Sequence, residues 1–186
     1  MRSGTLHMAL QHLAQHLQQE EIPYSVIGAL ALGQHGFARF TVDIDVLTTT
    51  EGLEKFRDRL EGTGYRPNFP GATKTFRDTR TGVRIDFITS GEYPGDGKPK
   101  PVRFPDPVEA SFEQSGIRFL KVEKLVELKL ASGMSAEHRQ RDLADIQDLI
   151  REAKLPLEFA EKLDASVREM YRALWRKAQI KDPLQG

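Results

Sequence analysis

The chain has no cysteine among its 186 residues. Disulfide frameworks and thiolate metal sites are therefore excluded. It has no apolar run long enough to span a bilayer. The first residues, MRSGTLHMALQHL, are polar and rich in His and Gln, unlike a secretory signal. A cytoplasmic location is the expectation. Net charge is also missing: 27 Lys and Arg balance 27 Asp and Glu. That balance speaks against general coating of nucleic acid, though not against a local basic patch. There is no internal repeat and no low-complexity tract. What remains is 39% hydrophobic and 29% charged, the composition of an ordinary globular chain. Its length suits one domain with an appended helical part.

The most informative stretch is IGALALGQHGFARFTVDIDV, Ile27 to Val46. Its closing half alternates apolar and acidic residues from Val42 to Leu47. Successive strand side chains point to opposite faces. Val42, Ile44 and Val46 should share one face, and Asp43 and Asp45 the other. Two carboxylates then sit only ~7 Å apart along the strand. Like charges that close repel, and a divalent cation relieves them; Mg²⁺ prefers such hard oxygen ligands alongside substrate phosphates. The alternative is an edge strand carrying two solvated aspartates. The opening half reads as a short strand, Tyr24 to Ile27, then a turn at Gly28-Ala29 into a helix from about Leu30 to Gly36. Small residues and a helix N-terminus suit a phosphate. Arg39 and Thr41, between the two halves, could contact phosphate oxygens.

Other segments follow from periodicity. Leu6, Leu10, Leu13 and Leu17 predict a helix over 5–20. His12 and His16 lie four apart on it, but a zinc site needs more ligands, and they are read as exposed surface residues. A threonine of Thr48–Thr50 should cap a helix carrying Leu53, Phe56 and Leu60, ended by Gly62 and Gly64. Tyr65–Phe69 reads as a short strand. Thr73–Arg77 and Val83–Ile88 form a predicted hairpin. Asp86 leaves the apolar face of its strand, and reads either as a site carboxylate or as a surface aspartate paired to Arg84 or Arg77. Residues 90–107 form a long Gly/Pro-rich loop, in which Lys98, Lys100 and Arg103 could meet an acidic substrate or simply be solvated. Residues 112–120 suggest a last strand or hairpin. A helix with Val122, Leu125 and Val126 carries Lys129 on its apolar face. The next, over 139–153, has Asp142 within its apolar arc and Asp145 at the edge. A buried carboxylate needs a partner, and Lys129 and Arg141 are nearest in sequence. A final helix should run from about Leu157 to Trp175, presenting Ala160, Leu163, Val167, Met170, Tyr171 and Leu174 to the body.

Gly28-Ala29, a helix, Arg39-Phe-Thr41 and Asp43-Ile-Asp45 together resemble the signature of the DNA polymerase β-like nucleotidyltransferase superfamily. Within it the chain looks most like the minimal bacterial enzymes that include the AbiEii toxin family. The usual pair there is Gly-Gly or Gly-Ser, so Ala29 is a departure. The likeness covers roughly residues 20–150. It implies an α+β fold: a small mixed sheet flanked by helices, with residues 1–120 as nucleotidyltransferase core and 121–186 as a C-terminal helical segment. It implies Asp43, Asp45 and Asp86 as catalytic metal ligands for Mg²⁺, and Gly28, Ala29, Arg39, Thr41 and Lys129 as contacts to an NTP. Arg141-Asp142-Leu-Ala-Asp145 resembles a further string of the minimal enzymes, in which an aspartate supports the site; Asp142 is the candidate. A structural salt bridge between two helices is the competing account of Lys129 and Asp142. The implied reaction is transfer of an NMP from an NTP to an acceptor. The acceptor could be tRNA, with a cognate antitoxin as partner and no membrane involved. It could be a small molecule such as an antibiotic. A fold that has lost turnover and serves as a binding partner is the third possibility.

Overall fold

The computed structural model describes residues 2–180. Helix α1, Arg2–Gln19, leads into strand β1, Tyr24–Ile27, and helix α2, Gly28–Gln34. Strand β2, Asp43–Thr48, and helix α3, Thr50–Leu60, follow. Three more strands are β3, Tyr65–Pro67, β4, Thr75–Asp78, and β5, Arg84–Thr89. After the 90–107 loop come β6, Ser111–Gln114, and β7, Ile117–Leu120. Helices α4, Val122–Ser135, α5, Gln140–Glu152, and α6, Ala165–Gln179, complete the chain. Short 3-10 turns at Glu137–Arg139 and Leu157–Lys162 link them.

The strands form one seven-stranded mixed sheet in the order β3-β4-β5-β2-β1-β7-β6. Strand β2 stands at its centre, antiparallel to β1 and parallel to β5. The expected alternation holds here. Ile44 and Val46 are fully buried, while Asp43 and Asp45 face away. On β5, Ile85 and Phe87 are buried and Asp86 is on the other side. Under the apolar face lies α3, capped by Thr49, whose hydroxyl accepts from the Gly52 N–H at 2.9 Å. Its Phe56 packs on Phe76 and Phe87, with ring centroids 5.0 and 4.6 Å away. This aromatic cluster fixes which face of β4 and β5 is core, and so which face carries Asp86.

Several expectations change. Val42 does not join the apolar face; it is 47% exposed, because β2 begins only at Asp43. Helix α2 starts at Gly28 rather than Leu30, with Gly28 itself supplying the positive φ of the turn. His12 and His16 are half-buried rather than exposed. His16 Nδ1 lies 2.7 Å from the Tyr65 hydroxyl, and burial lowers its pKa. The final helix is broken: the chain turns as a 3-10 segment, then restarts where the Asp164 carboxylate accepts from the Ser166 N–H at 2.9 Å. The apolar arc is retained across the break, with Ala160, Leu163, Val167, Tyr171 and Leu174 buried and Met170 packed partly against them. Residues 181–186 of the expected helical segment lie outside the described residues.

Candidate active site

Asp45 and Asp86 are register partners on the neighbouring parallel strands β2 and β5, so their side chains leave the same face side by side. Asp43 stands two residues along β2 on that face, opposite Arg84. The consequence is electrostatic. Asp45 is pushed from its ordinary 3.8 up to about 6, by burial first and then by the charge of Asp86, with Asp43 adding to it. Lys129 and Arg39 pull the other way and do not overcome it. Asp86 has one cation at hand: Arg84 Nε lies 3.0 Å from its Oδ2.

Gly28 closes on this group from β1. Its φ is +67°, a conformation other residues rarely adopt. A Cβ there would stand 2.2 Å from Asp45 Oδ2. Glycine is therefore required twice, by its backbone angle and by the carboxylate against it. Ala29, the departure from the usual pair, is buried at 5% exposure, with its side chain in the protein. Helix α2 has only seven residues, so its dipole is short.

Gly28, Asp45, Lys129 and Asp142 line one pocket of about 560 Å³ between the sheet and α4. Sequence reasoning placed these four in the site. It missed the pocket's far wall, which comes from the 90–107 loop: Glu92, Tyr93, Pro94, Gly95 and Phe104. The loop is fastened down. The Asp96 N–H donates to Ser135 Oγ at 3.1 Å. Gly95, at φ +73°, sits so close that a Cβ would lie 2.0 Å from Ser135 Oγ and 2.9 Å from the Ser132 backbone. Glu92 accepts from the Thr89 N–H at 2.7 Å and pairs with Lys74. Burial works to raise the Glu92 carboxyl, but these partners hold it below its usual range. Ser132 and the exposed Arg139 also line the pocket. The loop's Gly/Pro content was the available signal, but the basic residues singled out in it, Lys98, Lys100 and Arg103, do not line this pocket. Lys100 is spent inside the loop, on Asp96 at 2.7 Å and on the Pro94 and Lys98 carbonyls. Lys98 and Arg103 are exposed.

Behind the pocket the charges are balanced. Lys129 Nζ donates to Asp142 Oδ1 at 2.8 Å and to Asp145 Oδ2 at 2.9 Å. Ser132 Oγ donates to Asp142 Oδ2 at 2.6 Å. Burial works to raise the Asp142 carboxyl, but Lys129 and Ser132 hold it below its usual range. Arg39 Nε stands 3.1 Å from Asp145 Oδ1, off the line of a hydrogen bond, so the contact is an ion pair. Asp145, expected at the edge of the α5 arc, is the deeper of the two at 4% exposure, and Asp142 is half-buried. Arg141 is exposed. Thr41 bonds locally, its hydroxyl 3.3 Å from the Asp43 carbonyl, and shapes the entry to β2.

Asp43, Asp45 and Asp86 supply hard oxygen donors of the kind Mg²⁺ takes, and nearby cations offset their repulsion only in part. Among the described residues no three such groups converge into a ready-made cage.

No protein-family model and no curated protein sequence matches the chain. Solved structures do. Over 94% of this chain and 99% of the other, it superposes on ANT(2'')-Ia, crystallised in complex with adenylyl-2''-tobramycin, with TM-score 0.54 at 14% identity. Over 98% and 96% it superposes on an antigenic nucleotidyltransferase-like protein from Paracoccidioides brasiliensis, with TM-score 0.54 at 16% identity. The chain therefore has the nucleotidyltransferase fold, with its three strand aspartates on one face of the central sheet.

Proposed function

We propose that the protein transfers an NMP from an NTP to an acceptor hydroxyl, with Mg²⁺ as cofactor. The observation that carries the reading is the row Asp43, Asp45, Asp86 on one sheet face, of which Asp45 lines a pocket that Lys129 also lines. Three carboxylates held together against their own repulsion are a cost to folding, and a site that must hold metal and triphosphate explains it.

Asp43, Asp45 and Asp86 would hold the metal. Bound there, magnesium neutralises the triphosphate and makes the acceptor oxygen a better nucleophile. The chain's own residues do the rest. Gly28 lets the backbone approach the terminal phosphates. Lys129 faces them, held in place by Asp142 and Asp145. Asp86 accepts the acceptor's proton. The acceptor oxygen bonds to the α-phosphorus as the bond to the β-phosphate oxygen breaks, and pyrophosphate leaves. Arg39 acts one step removed, through Asp145, and Thr41 sets the start of β2. The division into residues 1–120 as catalytic core and 121–186 as helical segment is part of this reading, with Lys129 as the second part's contribution.

For the acceptor we favour RNA, tRNA among them, in line with the resemblance to minimal toxin-type enzymes; a cognate antitoxin would then be a partner. A small-molecule acceptor is the second reading. It is favoured by the pocket, whose 560 Å³ falls in the range of small-ligand sites, and by the likeness to ANT(2'')-Ia. The test is incubation with each labelled NTP, Mg²⁺ and either total RNA or aminoglycosides. Label on RNA that disappears with Asp43→Asn plus Asp45→Asn, in a protein that still folds, is the expected result. Label on aminoglycosides alone decides for the second reading. No transfer to either overturns the enzyme reading.

A further inference from the structure

Strand register places three arginines in a line that ends at the aspartates. Arg66 of β3 pairs with Arg77 of β4, Arg77 pairs with Arg84 of β5, and Arg84 pairs with Asp43 of β2. Register partners in a sheet share a face. The burial alternation shows that this face is the open one. Tyr65, Phe76, Ile85 and Phe87 are buried on the aromatic side, while Arg66 and Arg84 are exposed and Arg77 half-buried. At about 4.8 Å per strand, the row runs ~14 Å from Arg66 to Asp43.

Such a row is unfavourable for the fold itself, because like charges directly opposite each other destabilise a sheet. Only part of it is explained by local partners. Arg77 donates to the Gly82 carbonyl at 2.8 Å, and Arg84 pairs with Asp86. Among the described residues Arg66 has neither an acid nor a carbonyl partner of this kind. A second feature lies at the same end of β2. Phe40, three residues before Asp43, is 74% exposed, and Val42 beside it 47%. An exposed aromatic ring three residues in sequence from the end of a line of cations supplies the two elements that bind unpaired nucleotides: arginines track the phosphates and a ring stacks on a base. Net neutrality of the whole chain is no obstacle, since the charge is local.

We propose that the open face of β3, β4 and β5 is the docking track for a single-stranded RNA end, with its phosphates on Arg66, Arg77 and Arg84 and a base on Phe40. The track delivers the terminal ribose hydroxyl to Asp43, Asp45 and Asp86. This rests on the nucleotidyl-transfer reading and names its acceptor surface. It also moves the RNA contacts away from Lys98, Lys100 and Arg103, of which Lys100 is consumed within its own loop.

The test is equilibrium binding of a short single-stranded fluorescent RNA, followed by anisotropy across a salt series. Arg66→Ala is the first variant, because Arg66 is exposed on a short edge strand and its loss should leave the melting temperature unchanged. It is expected to weaken binding and to lower the salt slope by about one, as removal of one phosphate contact does. Arg66→Lys keeps the charge and should keep the slope. Phe40→Ala should weaken binding about tenfold without altering the slope, because stacking is not ionic. Unchanged affinity and slope in Arg66→Ala would overturn the proposal. So would tight binding of heparin by this row with no RNA binding, which points to an acidic protein instead. NTP affinity and labelling, measured on the same samples, report separately on the transferase reading. Lost RNA affinity with intact NTP binding in Arg66→Ala supports the track. RNA binding through the row with no transfer from any NTP would instead overturn the transferase.

Discussion

Two clusters of charge meet at the pocket, one through Asp45 and the other through Lys129 and Asp142, and they are built on opposite rules. Behind it, Lys129 and Arg39 meet Asp142 and Asp145, two cations to two anions, with direct contacts of 2.8 to 3.1 Å. On the sheet, Asp43, Asp45 and Asp86 have, among the described residues, one ion pair, from Arg84 to Asp86. The consequence appears in two carboxyls. Asp142 is held below its usual range despite burial, whereas Asp45 is raised to about 6. A balanced buried cluster holds helices in place. An unbalanced one keeps much of its repulsion. Lys129 acts on both: it pairs with Asp142 and Asp145 and lowers the pKa of the Asp45 carboxyl.

The sharpest way to break this contrast is at the balanced side. Asp145→Ala removes the group that meets both cations, and leaves Lys129 buried with a single carboxylate. Breaking a buried pair by removing one partner costs ~3–5 kcal/mol. Urea unfolding should show a loss in that range. A loss below about 1 kcal/mol, the value of a surface pair, would mean the cluster is not structural. Lys129→Met should destabilise too, while also weakening NTP binding. If its stability loss comes with normal NTP affinity, Lys129 is structural only.

On the other side the sign reverses. Asp45 has a raised carboxyl, so the native state binds its proton more tightly than the unfolded chain does. The associated stability is present below 3.8 and is lost as pH rises through about 6. At 1.36 kcal/mol per pH unit this difference is at most ~3 kcal/mol. Asp45→Asn should therefore stabilise the metal-free protein at pH 8, by up to that amount, and have little effect near pH 4. Asp142 runs the other way: its contribution is present above 3.8 and fades in more acid solution. Melting temperatures of Asp45→Asn and Asp142→Asn in EDTA from pH 3 to 8 would test the opposition. Destabilisation by Asp45→Asn at pH 8 would remove the premise that the aspartates repel.

How much of this could be read beforehand differs between the two clusters. The aspartates were legible because strand alternation is strict: one pattern, apolar-Asp-apolar, placed Asp43, Asp45 and Asp86 away from the core. Their adjacency came only with the family resemblance, since nothing local states that β2 pairs in parallel with β5. The helix cluster was half legible. Periodicity put Asp142 and Asp145 near the apolar arc of α5 but mistook which was deeper, because depth depends on how α4 seats against α5. Arg39 was assigned to phosphate; only the fold reveals Asp145 beside it. The pocket's far wall was least legible. Loop residues such as Tyr93 and Phe104 have no period, and Gly95 owes its place to one contact with α4. The arginine row was invisible for the same reason as the aspartate pairing, being a property of register across four strands.

Gly28 joins the sheet cluster to its pocket, and its effect should be smaller. Gly28→Ala meets both the φ of +67° and the carboxylate 2.2 Å away. Backbone strain of this sort costs on the order of 1–3 kcal/mol. In Gly28→Ala plus Asp45→Ala, the steric part should vanish and the backbone part persist, so the two changes should be non-additive by chemical denaturation. Strict additivity would place Asp45 elsewhere in solution.

The smallest effect on stability, and the most informative about the comparison, belongs to Arg84. Its side chain is 43% exposed, and exposed pairs contribute little, ~0–1 kcal/mol. Arg84→Gln should thus scarcely change the melting temperature. Its electrostatic effect should be larger than its energetic one. The guanidinium feels the attraction of Asp86 first, and of Asp43 and Asp45 as well, which together raise its own pKa. Attraction is mutual, so removing it must make ionising Asp45 harder still. Carbon NMR of the Asp45 carboxyl in the metal-free variant should show a midpoint above about 6, the wild-type expectation. Asp86, released from its partner, should also become easier for a cation to capture. Mg²⁺ should therefore raise the melting temperature more in Arg84→Gln than in the wild type. A midpoint that stays put or falls, with no gain in the magnesium effect, would show that Arg84 does not balance these carboxylates. The contrast between the clusters would then have to rest on burial alone.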